Sequence, residues 1–357
     1  MDTVLQLSKK LIEIPSTQDA QKALQDSLDY SKEILGRFAH KSFTKNKIQT
    51  LLFYNTNKLP NRFKILLNAH LDVVPAKKGQ FVPKEKNGKL YGRGAYDMKA
   101  AGAAMILLFK ELAKTLSYPL GLQLVTDEES GGFNGTRYQL EKGIRADFVI
   151  SGEPTDLGIN NEAKGIIWAK VKTKGKSAHG AYPWSGDNAI WKMKRLLDNI
   201  EQEFPVPNKE VWKTTINVAK IETPNQTLNK VPDDCLVGLD IRYIPKDAET
   251  VINKVKNLLP KDATLEIIMS EPAQYTNAKN PYILSLQKAT MKITGKASPV
   301  IVKHGSSDIR HYNQAGCDGI TFSPVGAGHH GDNEWVSLES LGDYYQILKS
   351  FLKTTFN

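Results

Sequence analysis

The chain reads as an α/β protein, a mostly parallel sheet domain interrupted by a compact α+β insertion. Three observations carry that reading. Short apolar segments at 64–70, 121–126, 147–150 and 319–322 have strand length and alternate with helical stretches. Between about 164 and 280 the order becomes strand, helix, strand, strand, helix, strand. The 357 residues also exceed the roughly 250 at which single cores stop growing, so two domains are expected.

Taken in order, the first element is a helix with Val4, Leu7, Leu11 and Ile12 on one face, stopped by Pro15. The segment from Met98 to Leu116 is rich in Ala and Leu and is predicted helical. Strands alternating with such helices imply a largely parallel sheet covered on both faces. In the insertion, Ile166 to Thr173, Thr214 to Ile221, Cys235 to Tyr243 and Thr264 to Met269 read as strands. Asp187 to Phe204 and Ala248 to Leu259 read as helices, and the order βαββαβ is ferredoxin-like. The first pattern then resumes and ends in a helix from Leu338 to Leu352. The expected domains are 1–163 with 281–357, and 164–280 between them. Lys170, Lys172, Lys174 and Lys176 alternate along one strand face, a solvated face that discourages edge pairing.

Composition narrows the class. The 48 Lys+Arg less 38 Asp+Glu give +10, yet the lysines are spread along the chain without an arginine-rich tail. Such a balance supports non-specific attraction to anions, and no nucleic-acid partner is expected. The longest apolar run, Ala100 to Phe109, is about half of a membrane span, and the first residues lack the order of a signal peptide. Two distant cysteines, Cys235 and Cys317, make neither a disulfide scaffold nor a thiolate zinc site. A cytoplasmic protein with no membrane partner is expected.

Chemistry gathers after the strands. His70 and Asp72 are two residues apart on an extended end and can share one site, with Asp72 orienting the imidazole. Asp97 lies in Gly92-Arg93-Gly94-Ala95-Tyr96-Asp97 before the Ala-rich helix, where a helix cap is the plain alternative. Asp127-Glu128-Glu129 follows a buried strand, and three adjacent acids there repel unless a cation joins them. Glu153 follows another strand, and His329-His330 precede Glu334 after a fourth. Strand C-termini are where α/β sheets build their sites. Imidazole and carboxylate donors point to zinc, less firmly to manganese or cobalt, and their number suggests two ions bridged by a carboxylate.

These motifs, in this order and starting from Ile14-Pro15-Ser16, resemble the zinc aminoacylase/carboxypeptidase family. That family includes acetylornithine deacetylase, succinyl-diaminopimelate desuccinylase, aminoacylase and glutamate carboxypeptidase. The resemblance covers nearly the whole chain and implies a zinc exopeptidase-like catalytic domain with an inserted lid or dimerisation domain. It implies that His70, Asp97 and Glu153 hold one Zn2+ and Asp97 and Glu129 a second, with His330 as the last ligand. Co2+ or Mn2+ could replace them. Asp97 would bridge, followed by a cis peptide; Asp72 would support His70, and Glu128 would act as general base. His330 rather than His329 has the family spacing to Glu334. In the insertion, His179 of Gly175-Lys176-Ser177-Ala178-His179-Gly180 resembles a carbonyl-polarising histidine, often supplied across a homodimer. Asn229 resembles a lid asparagine, and Arg310 of Ser306-Ser307-Asp308-Ile309-Arg310 a substrate-carboxylate anchor. The implied activity is hydrolysis of N-acyl amino acids, with exopeptidase action and a non-catalytic metal-binding homologue as alternatives. The stretch Ala76 to Pro83 lacks the Gly-Asp and Trp often seen in the deacylases.

Overall fold

The computed structural model describes residues 2–354 and divides into two compact units. The first comprises 1–161, 275–301 and 307–357; the second comprises 162–274 and 302–306. The sequence reading had set the boundaries at 164 and 280 and had no place for the short second-unit segment at 302–306.

In the first unit a central sheet runs in the order Ala39–Lys45, Ile48–Tyr54, Leu120–Val125, Phe63–His70, Ala146–Ser151, Asp318–Thr321. Phe63–His70 pairs in parallel with both its neighbours, and Asp318–Thr321 pairs in parallel with Ala146–Ser151. The four parallel strands are those expected from the apolar segments. The antiparallel hairpin Ala39–Lys45/Ile48–Tyr54 extends the sheet. Its first strand is mostly polar and exposed, so no apolar run announces it.

Residue parity sorts the strands onto two faces. Ile65, Leu67, Phe148 and Ile150 pack with the helices Asp2–Glu13, Lys99–Leu112 and Leu338–Thr354. Leu66 and Val149 pack on the other face with Leu140, Ile144, Ile309 and Tyr312. Both faces are thus covered, and the ends of the parallel strands are left to carry polar groups. Among the described residues no helix is long and apolar enough to cross a membrane.

The second unit has the βαββαβ order, with the antiparallel sheet Thr215–Glu222, Asp234–Tyr243, Gly165–Lys174, Ala263–Glu271. Its helix Ala189–Glu203 begins at Asn188, whose side chain caps Ile190 and Trp191. One sheet face is apolar, through Ile167, Ala169, Val171, Val237 and Leu239. On the other face Lys172 and Lys174 both pair with Asp234, at 3.0 and 2.9 Å. That is an ion-paired solvated surface.

Candidate metal centre

His70 is the last residue of its parallel strand. The neighbouring strand ends at Val125, and the turn Asp127–Ser130 brings Glu128 and Glu129 up beside it. Glu153 follows the next strand by two residues. The fourth parallel strand leads through Gly326–Ala327 to His330. Four side chains, from three strand ends, are therefore aimed by the register of one sheet, and His330 by a loop.

Asp97 joins them. The Asp97–Met98 peptide is cis, as the resemblance implied. The helix Lys99–Leu112 has Met98 as its N-cap residue, with no side-chain cap, so Asp97 is not spent on capping. Its Oδ1 lies 3.1 Å from His70 Nε2, and its Oδ2 lies 3.4 Å from His330 Nε2. Glu153 Oε1 lies 3.4 Å from His70 Nε2, and Glu129 Oε2 lies 3.1 Å from His330 Nε2. Donors on a tetrahedral zinc at roughly 2.0–2.1 Å must stand about 3.3 Å apart, the spacing seen here. The donor set is nitrogen and carboxylate oxygen throughout. Buried Glu153 Oε1 accepts no hydrogen bond, as an oxygen meant for a cation would not. The residues fit a pair of divalent ions. By distance alone Glu128 also clusters with His70 and Glu153.

Electrostatics agree. Burial and the Glu153 charge push Glu128 well above the usual carboxylate range. Burial and the Asp97 charge raise Glu153 to about 7. Burial opposes the Asp97 charge too, yet hydrogen bonds from His330 and His70 carry its carboxyl below the ordinary range. Bonds to Asp97 and Glu129 raise His330 to about 10. For His70, burial is outweighed by Glu153 and Asp97, and its pKa stands well above 6.5. Carboxylates this crowded hold protons unless a metal replaces them.

Asp72 supports His70 differently from the expectation. His70 Nδ1 is 3.0 Å from the Asp72 main-chain carbonyl, and the Asp72 carboxylate Oδ1 is 3.6 Å away. The carboxylate turns instead to accept from Glu129 N at 3.0 Å and Gln18 Nε2 at 2.8 Å. The main-chain carbonyl of Asp72, rather than its carboxylate, is the group nearest the ring. Burial raises the Asp72 carboxyl to about 6.

Arg310 is buried, donating from Nη1 to Ser307 O at 2.8 Å and from Nη2 to Gly131 O at 2.7 Å. His311 Nε2 lies 2.8 Å from the same Gly131 carbonyl. These contacts hold the turn that carries Glu128 and Glu129. Gly132 follows with φ +67, and a Cβ there would collide with the Asp308 carboxylate, so only glycine fits.

His179 and Asn229 belong to the second unit, both exposed. They are neighbours there, since Gly180 N donates to Asn229 O at 2.6 Å and Ala181 N to His179 Nδ1 at 3.1 Å.

Sequence reasoning used Glu334 only as a spacing mark and quoted Arg93 without a role. Both are buried. Glu334 accepts from Tyr96 N and Asp97 N through Oε1, at 2.9 and 3.0 Å. A buried charged pair cannot be read from one strand's pattern, because its partners are far apart in the chain.

Comparison with known proteins places this architecture. The family model for Peptidase family M20/M25/M40 matches residues 66–354, and the chain belongs to that family of metal-dependent hydrolases. The succinyl-diaminopimelate desuccinylase of Nitratiruptor sp. is 28% identical over 371 residues, covering 98% of this chain and 99% of the relative. The succinyl-diaminopimelate desuccinylase of Wolbachia pipientis is 29% identical over 342 residues, covering 87% of this chain and 83% of its own. Among solved structures, aminopeptidase PepT of Bacillus cereus superposes with a TM-score of 0.80 at 17% identity, covering 99% and 98% of the two chains. The M20 metallo-carboxypeptidase Sso-CP2 of Sulfolobus solfataricus superposes with a TM-score of 0.74 at 18% identity, covering 99% of each.

Proposed function

We propose that this hydrolase uses two Zn2+ ions to cleave the amide of N-acyl amino acids, with an N-succinyl amino acid as the favoured substrate. The observation that carries the reading is Asp97, whose two carboxylate oxygens reach one into each donor trio. The relatives named desuccinylase support the choice of acyl group. His70, Asp97 and Glu153 would hold one ion, and Asp97, Glu129 and His330 the other. Bound there, the ions would acidify water and polarise the amide carbonyl.

Glu128 takes the proton from the attacking water and passes it to the leaving amine. Its raised pKa suits a base that must also act as an acid. Asp72 keeps the Glu129 amide and the His70 strand end in register. In this reading His179, assisted by Asn229, steadies the carbonyl oxygen as the tetrahedral centre forms. Arg310 anchors the substrate carboxylate while donating to the main-chain carbonyls of Ser307 and Gly131. The protein would act as a homodimer through the second unit, where Trp184 and Trp191 are exposed.

The test is a panel of N-succinyl-diaminopimelate, N-acetylornithine, other N-acetyl amino acids, dipeptides and tripeptides, with zinc or cobalt. Release of the free amine from the N-succinyl substrate, identified by mass, is expected. Cleavage of peptides alone would replace this reading with an exopeptidase. No turnover by protein carrying two ions would leave a non-catalytic metal binder.

A further inference from the structure

We propose that the buried Arg93–Glu334 pair is a positioning clamp that sets the gap between Asp97 and His330, and so governs the second metal set, Asp97–Glu129–His330. The proposal rests on the two-ion reading above and adds residues to which that reading gives no role.

The two trios are built differently. His70 and Glu153 sit at or just after the ends of adjacent parallel strands, whose ladder fixes their separation. His330 lies outside the parallel ladder, three residues after the two-residue strand Gly326–Ala327. It sits in a loop with φ +61, two residues after Gly328 at φ +76, and its ring is half exposed. A small sheet flanks that loop, pairing Ala327 with Trp335 and Trp335 with Tyr91, but its ladder includes neither His330 nor Asp97, so the gap between these two needs a further tie.

Glu334 and Arg93 supply it. Both are nearly inaccessible, at 2% and 3% exposure. The Glu334 carboxylate takes four donors. Oε1 accepts from Tyr96 N and Asp97 N, at 2.9 and 3.0 Å, and Oε2 from Gly94 N at 3.0 Å and Arg93 Nη1 at 2.6 Å. Three of the four are main-chain amides of the turn from which Asp97 projects. The carboxylate is saturated, so the turn cannot shift without breaking bonds to it. The other arm of Arg93 crosses to the His330 loop, where Nη2 donates to Gly331 O at 3.0 Å. Half-buried Gln80 reinforces the same carbonyl through Nε2 at 3.1 Å. One guanidinium thus bonds, through opposite nitrogens, the carboxylate holding Asp97 and the residue after His330.

Chemistry favours a positioning role. Burying a charged pair carries a desolvation penalty that apolar side chains would avoid, so this pair is a poor choice for stability alone. A planar guanidinium can meet two partners in fixed directions, whereas an ammonium is a point charge that cannot hold both. Arg93→Lys should therefore preserve the charge pairing with Glu334, and with it Asp97, while releasing Gly331 and His330.

The experiment is zinc titration of the purified full-length chain against a competing chelator dye. Stoichiometry is checked by elemental analysis, and the visible spectrum of the Co2+-substituted protein is recorded. Wild type should bind two ions. Arg93→Lys should keep the first with unchanged affinity and weaken the second about 10- to 100-fold, the usual effect of losing an outer partner of a ligand. Gln80→Ala, which leaves the charged pair intact, should weaken the second ion by a smaller factor and leave the first alone. Equal weakening of both ions in Arg93→Lys, or unchanged affinity for both, overturns the clamp. If Arg93→Lys fails to fold, Gln80→Ala decides: unchanged affinity for the second ion overturns it. A wild-type protein that binds only one ion refutes the two-ion reading itself, an outcome distinct from the others.

Discussion

Glu128→Gln separates the two roles its position allows. Glu128 lies within metal-ligand distance of His70 and Glu153, and in the proposed mechanism it is the base. The carboxamide has nearly the same shape but cannot accept the proton. If Glu128 is the base, three donors still remain for each ion: His70, Asp97 and Glu153 for one, and Asp97, Glu129 and His330 for the other. Zinc content should then stay at wild-type level and KM should change little. A positioned general base contributes about 10²- to 10⁴-fold, so kcat should fall by that factor, or about 2.7–5.4 kcal/mol in activation free energy. Steady-state kinetics on the substrate identified by the panel, with elemental analysis of the same preparation, gives both readouts. Turnover within tenfold of wild type would refute the assignment. So would loss of an ion, which would make Glu128 a ligand.

Four further outcomes follow from the geometry. Glu153→Gln should lose the ion on the His70 side, read by elemental analysis; full retention of that ion would show Glu128, which clusters with His70, taking its place. Arg310→Lys should raise KM for a substrate with a free carboxylate about 10- to 100-fold if Arg310 anchors it. A fall in kcat with unchanged KM would instead mark Arg310 as support for the Gly131 turn. His179→Ala should lower kcat by about 3–4 kcal/mol of transition-state stabilisation without changing zinc content, and an unchanged kcat would exclude it from the reaction. The stabilisation given by zinc should grow with pH. Glu128 and Glu153 have raised pKa values, so the folded chelated protein binds more protons than the unfolded chain from about 4.5 upward, to about 7 for Glu153. His330, raised to about 10, extends the same sign from 6.5 to 10. Stability of the chelated protein therefore falls as pH rises, and zinc, which displaces those protons, restores it. A constant gap in melting temperature between zinc-loaded and chelated protein from pH 5.5 to 8 would refute this.

The fold was legible where burial was one-dimensional. Lys64–His70, Gly121–Thr126, Asp147–Ile150 and Gly319–Phe322 announce themselves because a strand covered on both faces must be apolar throughout. No pattern announces the hairpin at 39–54 or the small sheet of Gly326–Ala327, Trp335–Ser337, Lys89–Tyr91 and Lys84–Lys86. These strands are short or polar, and pairing rather than pattern creates them. The ligand candidates were visible because acids and imidazoles directly after apolar strands are chemically conspicuous. Their supports were invisible for the opposite reason. Glu334 reaches Asp97 across 237 residues of sequence and Arg310 reaches Gly131 across 179, and no local period encodes such a bond.

The charge distribution ties these levels together. A chain of net charge +10 could have paired its buried acids with lysine, as it does on the surface, where Lys172 and Lys174 bracket Asp234. At the strand ends it does not. Asp97, Glu128, Glu129 and Glu153 share two imidazoles, and the buried Arg93 is committed to Glu334. Lysine is long and mobile and would fill the space where substrate must sit, while a divalent ion supplies twice the charge in a smaller volume and leaves room for ligand exchange. Arg93 therefore stays behind the carboxylates and shapes the turn that carries Asp97, and the positive charge among the acids is left to metal. That division explains why the basic composition of the chain and the acidity of its centre coexist without conflict.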